Sequence, residues 1–406
     1  MQACGRGGTC SVQAQIIRAR EAEGRMQYRS FGRVGWQPSA LGFGCMRFPA
    51  DQAGKTDESA VERMLVYAVE KGVNYFDTSY VYGSSEEVIG RVLAKNGMSD
   101  RVKIATKLPP WQVNSLEDCQ KMLAQQLSRL QREHIDLYLL HGLNRQRWEH
   151  VTKLGLLRWL RGKKKEGILG AVGFSFHDEY KVFQKIIDES EWDFCQVQYN
   201  YRDVDYQAGA RGVRYAASKG IGVVVMEPLL GGQLVDPPAH IRALWDEAPV
   251  RRTPADWALQ WLWDQEEVSV VLSGMSSMQQ VEENVRSAEG SGVGLLTEKD
   301  KECIARVRGE YKGLFPIPCT GCGYCMPCPH GLNIPRNFWH YNEGKVHGQI
   351  AASRANYKGI LTSYGAQAAN CTACRTCEER CPQKIPISEW MPKVHAVLGE
   401  DKPYES

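Results

Sequence analysis

Eight short apolar runs alternate with stretches whose apolar residues recur at helical spacing, and eight cysteines gather in two tight groups near the C-terminus. From these the sequence predicts an α/β chain: a (β/α)8 TIM barrel followed by a small ferredoxin-like iron–sulfur domain with a helical insert. Alternation of strand and helix argues for a parallel sheet, eight units argue for its closure, and such a barrel takes ~250 residues. A chain of 406 residues leaves room for a second unit.

The elements read in order as follows. Residues 1–25 carry two Cys, several Gly and a short apolar patch at Ile16–Ile17, and are expected to form a disordered extension. Met26 reads as the start of a first strand, and Phe31-Gly-Arg-Val-Gly as a hairpin turn between two short strands. The strand Leu41–Met46 and the helix Asp57–Lys71 follow, the latter with Val61, Met64, Leu65, Ala68 and Val69 on one face. The strand from Val73 ends in Asp77. The helix Ser85–Lys95, the strand Val102–Thr106, the helix Leu116–Leu130 and the strand Ile135–Leu140 come next. One helix is expected over Trp148–Lys165. Strands at Ala171–Phe176, Phe194–Tyr199, Gly222–Met226 and Val268–Leu272 alternate with helices at Glu179–Glu189, Gly212–Lys219, Ala255–Gln265 and Met278–Ala288. One more helix, Glu298–Arg308, precedes Pro316 and Pro318, which mark a boundary. The domains are therefore 26–310 and 311–406.

Composition excludes several classes. Apolar residues make up 43% and the formal net charge is +3, so nothing favours nucleic acid or an acidic membrane surface as a partner. No apolar run approaches the ~18 residues of a spanning helix, and no secretory apolar segment opens the chain. A cytoplasmic protein is expected. Cys4, Cys10, Cys45, Cys119, Cys195 and Cys303 are scattered and read as ordinary small thiols.

Three strand-like runs end in polar residues: Asp77, with Tyr82 on the loop that ends at Gly83; Lys107 after Val102–Thr106; and His141 after Ile135–Leu140. In a parallel barrel the C-terminal strand ends share one face, where such enzymes keep their chemistry. The segments Asp-Thr-Ser-x-x-Tyr-Gly, Thr-Lys and Leu-Leu-His-Gly, in this order, resemble the catalytic tetrad of the aldo-keto reductases over roughly Met26 to Gly290. The resemblance implies that Tyr82 is the general acid (the base in the oxidative direction), that Lys107 lowers its pKa, that Asp77 pairs with Lys107, and that His141 orients the substrate carbonyl. The tyrosine needs such help, since its ordinary pKa is ~10. His141 also favours carbonyl chemistry, because family members that reduce steroid double bonds carry Glu there.

The same resemblance implies NADP(H) or NAD(H), bound across the barrel mouth without a Gly-x-Gly-x-x-Gly unit. Ser175 and Gln196 match residues that hold the nicotinamide carboxamide, and Phe176 replaces the usual Asn. Met226 stands where an aromatic residue commonly stacks on the ring. Glu283 and Asn284 match the pair that meets the adenine. Gly274 and Gln280 stand where NADP-preferring members place Lys and Arg, so selectivity for a 2′-phosphate, which prefers charged partners, is not expected to be strong. Met46 and Trp111 are candidate walls of the substrate pocket.

Cys319-x-x-Cys322-x-x-Cys325-x-x-Cys328-Pro and Cys371-x-x-Cys374-x-x-Cys377-x-x-x-Cys381-Pro form an internal repeat. The second is the bacterial ferredoxin signature and the first is one residue short before its last Cys. Two [4Fe–4S] clusters are expected; zinc is the alternative for Cys-x-x-Cys pairs. The likeness to two-cluster ferredoxins implies that the last Cys of each motif serves the other cluster: Cys319, Cys322, Cys325 and Cys381 hold one, and Cys371, Cys374, Cys377 and Cys328 the other.

These readings converge on an NAD(P)-dependent oxidoreductase that interconverts a small carbonyl and an alcohol, with clusters that exchange electrons with a ferredoxin-type carrier. A flavin would link a two-electron hydride to one-electron clusters, but no flavin motif is present. The alternatives are an ordinary carbonyl reductase with structural or redox-sensing clusters, and a non-catalytic iron–sulfur electron-transfer partner.

Overall fold

The computed structural model describes residues 24–362 and 365–405. The extension expected at residues 1–25 falls almost entirely outside them. The chain divides into two compact units: one runs to Pro228 and resumes at Ala258–Leu296, and the other comprises Leu229–Trp257 and Thr297 onward. This division does not follow the boundary read at residue 310. Leu229–Trp257, which lies between two barrel strands in sequence, and the helix that begins at Glu298 group with the cysteine-rich residues.

The first unit is a closed barrel of eight parallel strands in sequence order: β1 Leu41–Gly44, β2 Tyr75–Asp77, β3 Lys103–Leu108, β4 Ile135–Leu143, β5 Leu169–Phe176, β6 Phe194–Gln198, β7 Gly222–Met226 and β8 Val270–Ser273. Its helices include α1 Glu58–Glu70, α2 Ser85–Lys95 and α3 Leu116–Leu130. Side chains alternate across a strand with period two. Tyr75, Ala105, Leu137, Leu139, Phe194 and Val224 accordingly fill the barrel interior, while Phe76, Ile104, Tyr138 and Leu140 pack outward against the helices. The expected N-terminal hairpin reduces to a single antiparallel bridge, Tyr28 to Ser39. Phe31 from its turn lies in the interior cluster, its ring 5.6 Å from that of Phe194.

The helix expected over Trp148–Lys165 is two helices, α4 Arg145–Lys153 and α5 Leu156–Lys165, parted at Gly155. That glycine has φ +70°, a left-handed conformation that interrupts a helix and that glycine adopts without a Cβ penalty. The apolar spacing runs on through the break, which is why periodicity reads it as one helix.

In the second unit, α8 Ala239–Asp246 and α11 Glu298–Tyr311 pack together. A separate core is built from Ile317, Phe338, Tyr341, Ile387, Met391 and Val394, largely from α12 Ile334–Val346 and α15 Ile387–Leu398. Cys319, Cys325, Cys328, Cys371, Cys377 and Cys381 pack against it. The Gln233 side-chain amide donates to the Cys319 carbonyl at 2.6 Å, and a Cβ on Gly231 would lie 2.2 Å from the Thr320 carbonyl oxygen. Leu229–Trp257 is thus fastened to the start of the first cysteine motif. Among the described residues no helix is long and apolar enough to cross a membrane.

Candidate active site

The alternation that fills the barrel also builds the site. Asp77 follows the inward Tyr75 by two residues, Lys107 follows Ala105, and His141 follows Leu139. Ser175, Gln196 and Met226 stand two positions beyond Gly173, Phe194 and Val224 in the same way. The strand residues named in the sequence therefore form the top layer of the barrel interior, at the C-terminal strand ends.

Lys107 is wholly buried, and its Nζ lies 2.7 Å from Asp77 Oδ1 and donates to the Thr78 carbonyl at 2.6 Å. Burial pushes the Asp77 carboxyl up and the Lys107 ammonium down, while their mutual attraction opposes both shifts. The same Nζ stands 5.0 Å from the centroid of the Tyr82 ring, and the Tyr82 ring meets His141 edge-on at 5.8 Å. Ser79 Oγ contacts His141 Nδ1 at 3.0 Å and fixes the ring. Burial first, then the charges of Lys107 and Arg147, hold the His141 pKa well below its ordinary value, so the imidazole is neutral at pH 7. Trp111 closes on the same ring at 5.2 Å. Met46 is half-buried in the loop after β1.

Among the cofactor candidates, Ser175 Oγ accepts the Gly142 N–H at 2.7 Å. The Gln196 side-chain amide contacts Met226 Sδ at 3.6 Å, and its Oε1 is buried with no partner among the described residues. A buried acceptor without a donor is costly, and a carboxamide N–H₂ fits it, so this end of the site suits a nicotinamide. Asn284 donates to Ser273 Oγ at 2.9 Å, and Glu283 accepts from Gln279 at 2.8 Å. Gln280 Oε1 accepts the Ser276 N–H at 2.8 Å while Ser277 caps the helix. A Cβ on Gly274 would lie 3.5 Å from the Arg47 side chain. Arg47 thus brings a cation to a place where the sequence offered none. It was missed because it lies on the loop after β1, remote in sequence from Gly274 and Gln280.

A second buried group was also missed. Glu86, in the first turn of α2, is 1% exposed. It accepts from Thr106 Oγ1 at 2.6 Å and Gln126 Nε2 at 2.8 Å, and pairs with Arg129 at 3.2 Å. Gln126 also donates to the Lys107 carbonyl at 3.2 Å and accepts from the Tyr138 hydroxyl at 2.7 Å. This network clamps the backbone of β3 from outside, directly behind Lys107.

The thiols of the second unit form two groups. Cys319, Cys322, Cys325 and Cys381 line one cavity, with Ile334 and Phe338 on its apolar wall. Cys328 and Cys371 stand close enough to Cys377 to oppose its ionisation, which burial pushes up to about 11. Cys374 is exposed. Among the described residues no three Cys, His, Asp or Glu side chains converge tightly enough to chelate a single ion. Four thiols that line one cavity suit an iron–sulfur cluster.

The barrel with its buried charge pair, and the cysteine-rich unit after it, define an oxidoreductase of two parts. Residues 40–292 match the model of the aldo/keto reductase family, and residues 318–385 match that of the 4Fe-4S dicluster domain. The chain belongs to the aldo/keto reductase family and carries a C-terminal 4Fe-4S domain. It is 27% identical over 312 residues to L-galactose dehydrogenase of Arabidopsis thaliana, covering 69% of this chain and 94% of that protein. It is 28% identical over 228 residues to the uncharacterized oxidoreductase YrpG of Bacillus subtilis, covering 52% of this chain and 68% of that protein. The holo structure of aldo-keto reductase AKR11C1 from Bacillus halodurans superposes with a TM-score of 0.59 at 25% identity, covering 70% of this chain and 96% of that one.

Glu86→Ala strands Arg129, Thr106 and Gln126 beside a buried backbone and is expected to cost ~3 kcal/mol. The check is thermal unfolding, with a fall of roughly 5 °C, part of it recovered in Glu86→Gln.

Proposed function

We propose that this chain reduces a small carbonyl compound to an alcohol, or runs the reverse reaction, with NADP(H) or NAD(H) in the barrel and two [4Fe–4S] clusters that exchange electrons with a ferredoxin-type carrier. The observation that carries the reading is the convergence of Asp77, Lys107, Tyr82 and His141 at one end of the barrel, with the ammonium 5.0 Å from the phenol ring. The nicotinamide supplies the hydride when bound. Ser175 and Gln196 would hold its carboxamide. Tyr82 gives the proton to the carbonyl oxygen. Lys107 stabilises the phenolate that remains, and Asp77 keeps Lys107 in place and charged. His141, neutral and oriented by Ser79, directs the carbonyl toward Tyr82. In the second unit, the cavity lined by Cys319, Cys322, Cys325 and Cys381 supports one cluster, and Cys328, Cys371, Cys374 and Cys377 would hold the other.

Tyr82→Phe is expected to lower turnover of an aldehyde by ~10²–10⁴ with the iron content unchanged. Full activity in the variant would refute the proton-donor role. On protein purified without oxygen, NADH or NADPH is expected to bleach the visible cluster absorbance; constant absorbance during turnover would make the clusters structural or redox-sensing. Cysteine pairing is read from iron content. Cys325→Ala and Cys381→Ala are each expected to remove about half the iron, and the double variant no more than either alone. Cys325→Ala with Cys328→Ala is expected to remove nearly all of it.

A further inference from the structure

The alternation along β5 carries one position past the strand. Ala171 faces the barrel interior, while Phe174 and Phe176 pack outward. His177 has the parity of Ala171 and Ser175, so it continues the inward row one step beyond the layer that holds Ser175. Its backbone is still tied to the neighbouring strand, since the His177 N–H donates to the Leu143 carbonyl at 2.9 Å. The side chain is half-buried at the mouth of the barrel.

Two contacts orient the ring. His177 Nδ1 lies 3.2 Å from Gln207 Oε1. That oxygen only accepts, so Nδ1 carries the proton and Nε2 keeps its lone pair. Gln207 is held at φ +56° on the loop after β6, a conformation that costs a residue with a Cβ. The other edge of the ring is turned to Gly142, the residue after His141. A Cβ on Gly142 would lie 3.9 Å from His177 Cδ2 and 3.8 Å from the Trp111 ring. Cδ2 is bonded to Nε2, so the accepting nitrogen sits on the edge that faces the space between Trp111 and His177, beside His141. Gly142 leaves that space open.

The chemistry of the nitrogen is defined. Burial lowers the His177 pKa, the bond to Gln207 opposes the shift and the Arg147 charge adds to it, leaving it at about 4. The imidazole is neutral at pH 7. Among the described residues the contact with Gln207 is its one side-chain hydrogen bond, and bracing that loop uses Nδ1 alone. The cations Lys107 and Arg147, which both act on His141, disfavour an ammonium here. A neutral hydroxyl is the donor that suits Nε2.

We propose that His177 is a specificity-determining residue whose Nε2 accepts a hydrogen bond from a substrate hydroxyl, so that the site selects aldehydes hydroxylated on the carbons next to the carbonyl. The inference rests on the carbonyl-reductase reading and names the substrate class of that site. The reaction is unchanged: the carbonyl carbon takes the hydride, the oxygen takes the proton from Tyr82, and the nicotinamide leaves oxidised.

The test compares glyceraldehyde with propanal on the whole protein, in the native form and as His177→Phe and His177→Gln. The native protein is expected to favour glyceraldehyde by roughly tenfold in kcat/KM, the worth of one well-made hydrogen bond. His177→Phe should remove the preference through the KM of glyceraldehyde, with kcat and the turnover of propanal kept. His177→Gln, which restores an acceptor, should retain part of it. Equal losses for both aldehydes with the ratio kept would mean that His177 only braces the Gln207 loop, and would overturn the proposal, as would a native ratio near one. If neither aldehyde is turned over, the carbonyl-reductase reading falls separately, and erythritol decides the hydroxyl site through the fluorescence of the neighbouring Trp111. Saturable quenching that is lost in His177→Phe supports the site; no quenching in the native protein refutes it.

Discussion

Lys107 has no solvent-exposed surface, and its ammonium is held by one carboxylate oxygen and one backbone carbonyl at the end of β2. Removing two charges from water costs several kcal/mol for each, and only close pairing with good hydrogen bonds returns it. That requirement constrains the rest of the barrel. β2 and β3 must be neighbours in this register, with Asp77 beside Ala105 and Lys107 two residues further up. The Glu86 network then holds β3 from the helix side, so the lysine is fixed from within the barrel and from behind it.

The strand alternation explains why so much of this site was legible in the sequence. A residue type that does not belong in an apolar interior, found two positions beyond one that does, marks the mouth of a parallel barrel. Asp77, Lys107, His141, Ser175 and Gln196 all carry that signature. Glu86 does not. An acid in the first turn of a helix reads as a favourable surface charge near the helix dipole, and only packing shows that this one is buried. Arg147 is hidden for a different reason. Its guanidinium donates to the Gly142 carbonyl and lies over the Trp111 ring, and neither relation follows from periodicity.

The break at Gly155 and the affiliation of Leu229–Trp257 show two further limits of reading a pattern. A helical apolar spacing persists across a single left-handed residue, so two helices read as one. Leu229–Trp257 is rich in proline and lies between two barrel strands, so sequence order assigns it to the barrel loops. Its partners appear only at Cys319 and Thr320.

That affiliation bears on how such a gene can be cut. The cysteine-rich unit is assembled from two stretches of chain, and the first emerges from the ribosome before the last barrel strand has been made. A stop codon after residue 310 would encode Leu229–Trp257 without the Cys319 carbonyl that receives Gln233. Conversely, a fragment starting at residue 311 would lack both α8 and α11, which pack on one another in the same unit. The two halves are distinct in chemistry, yet neither can be excised by a single cut at the point where the cysteines begin.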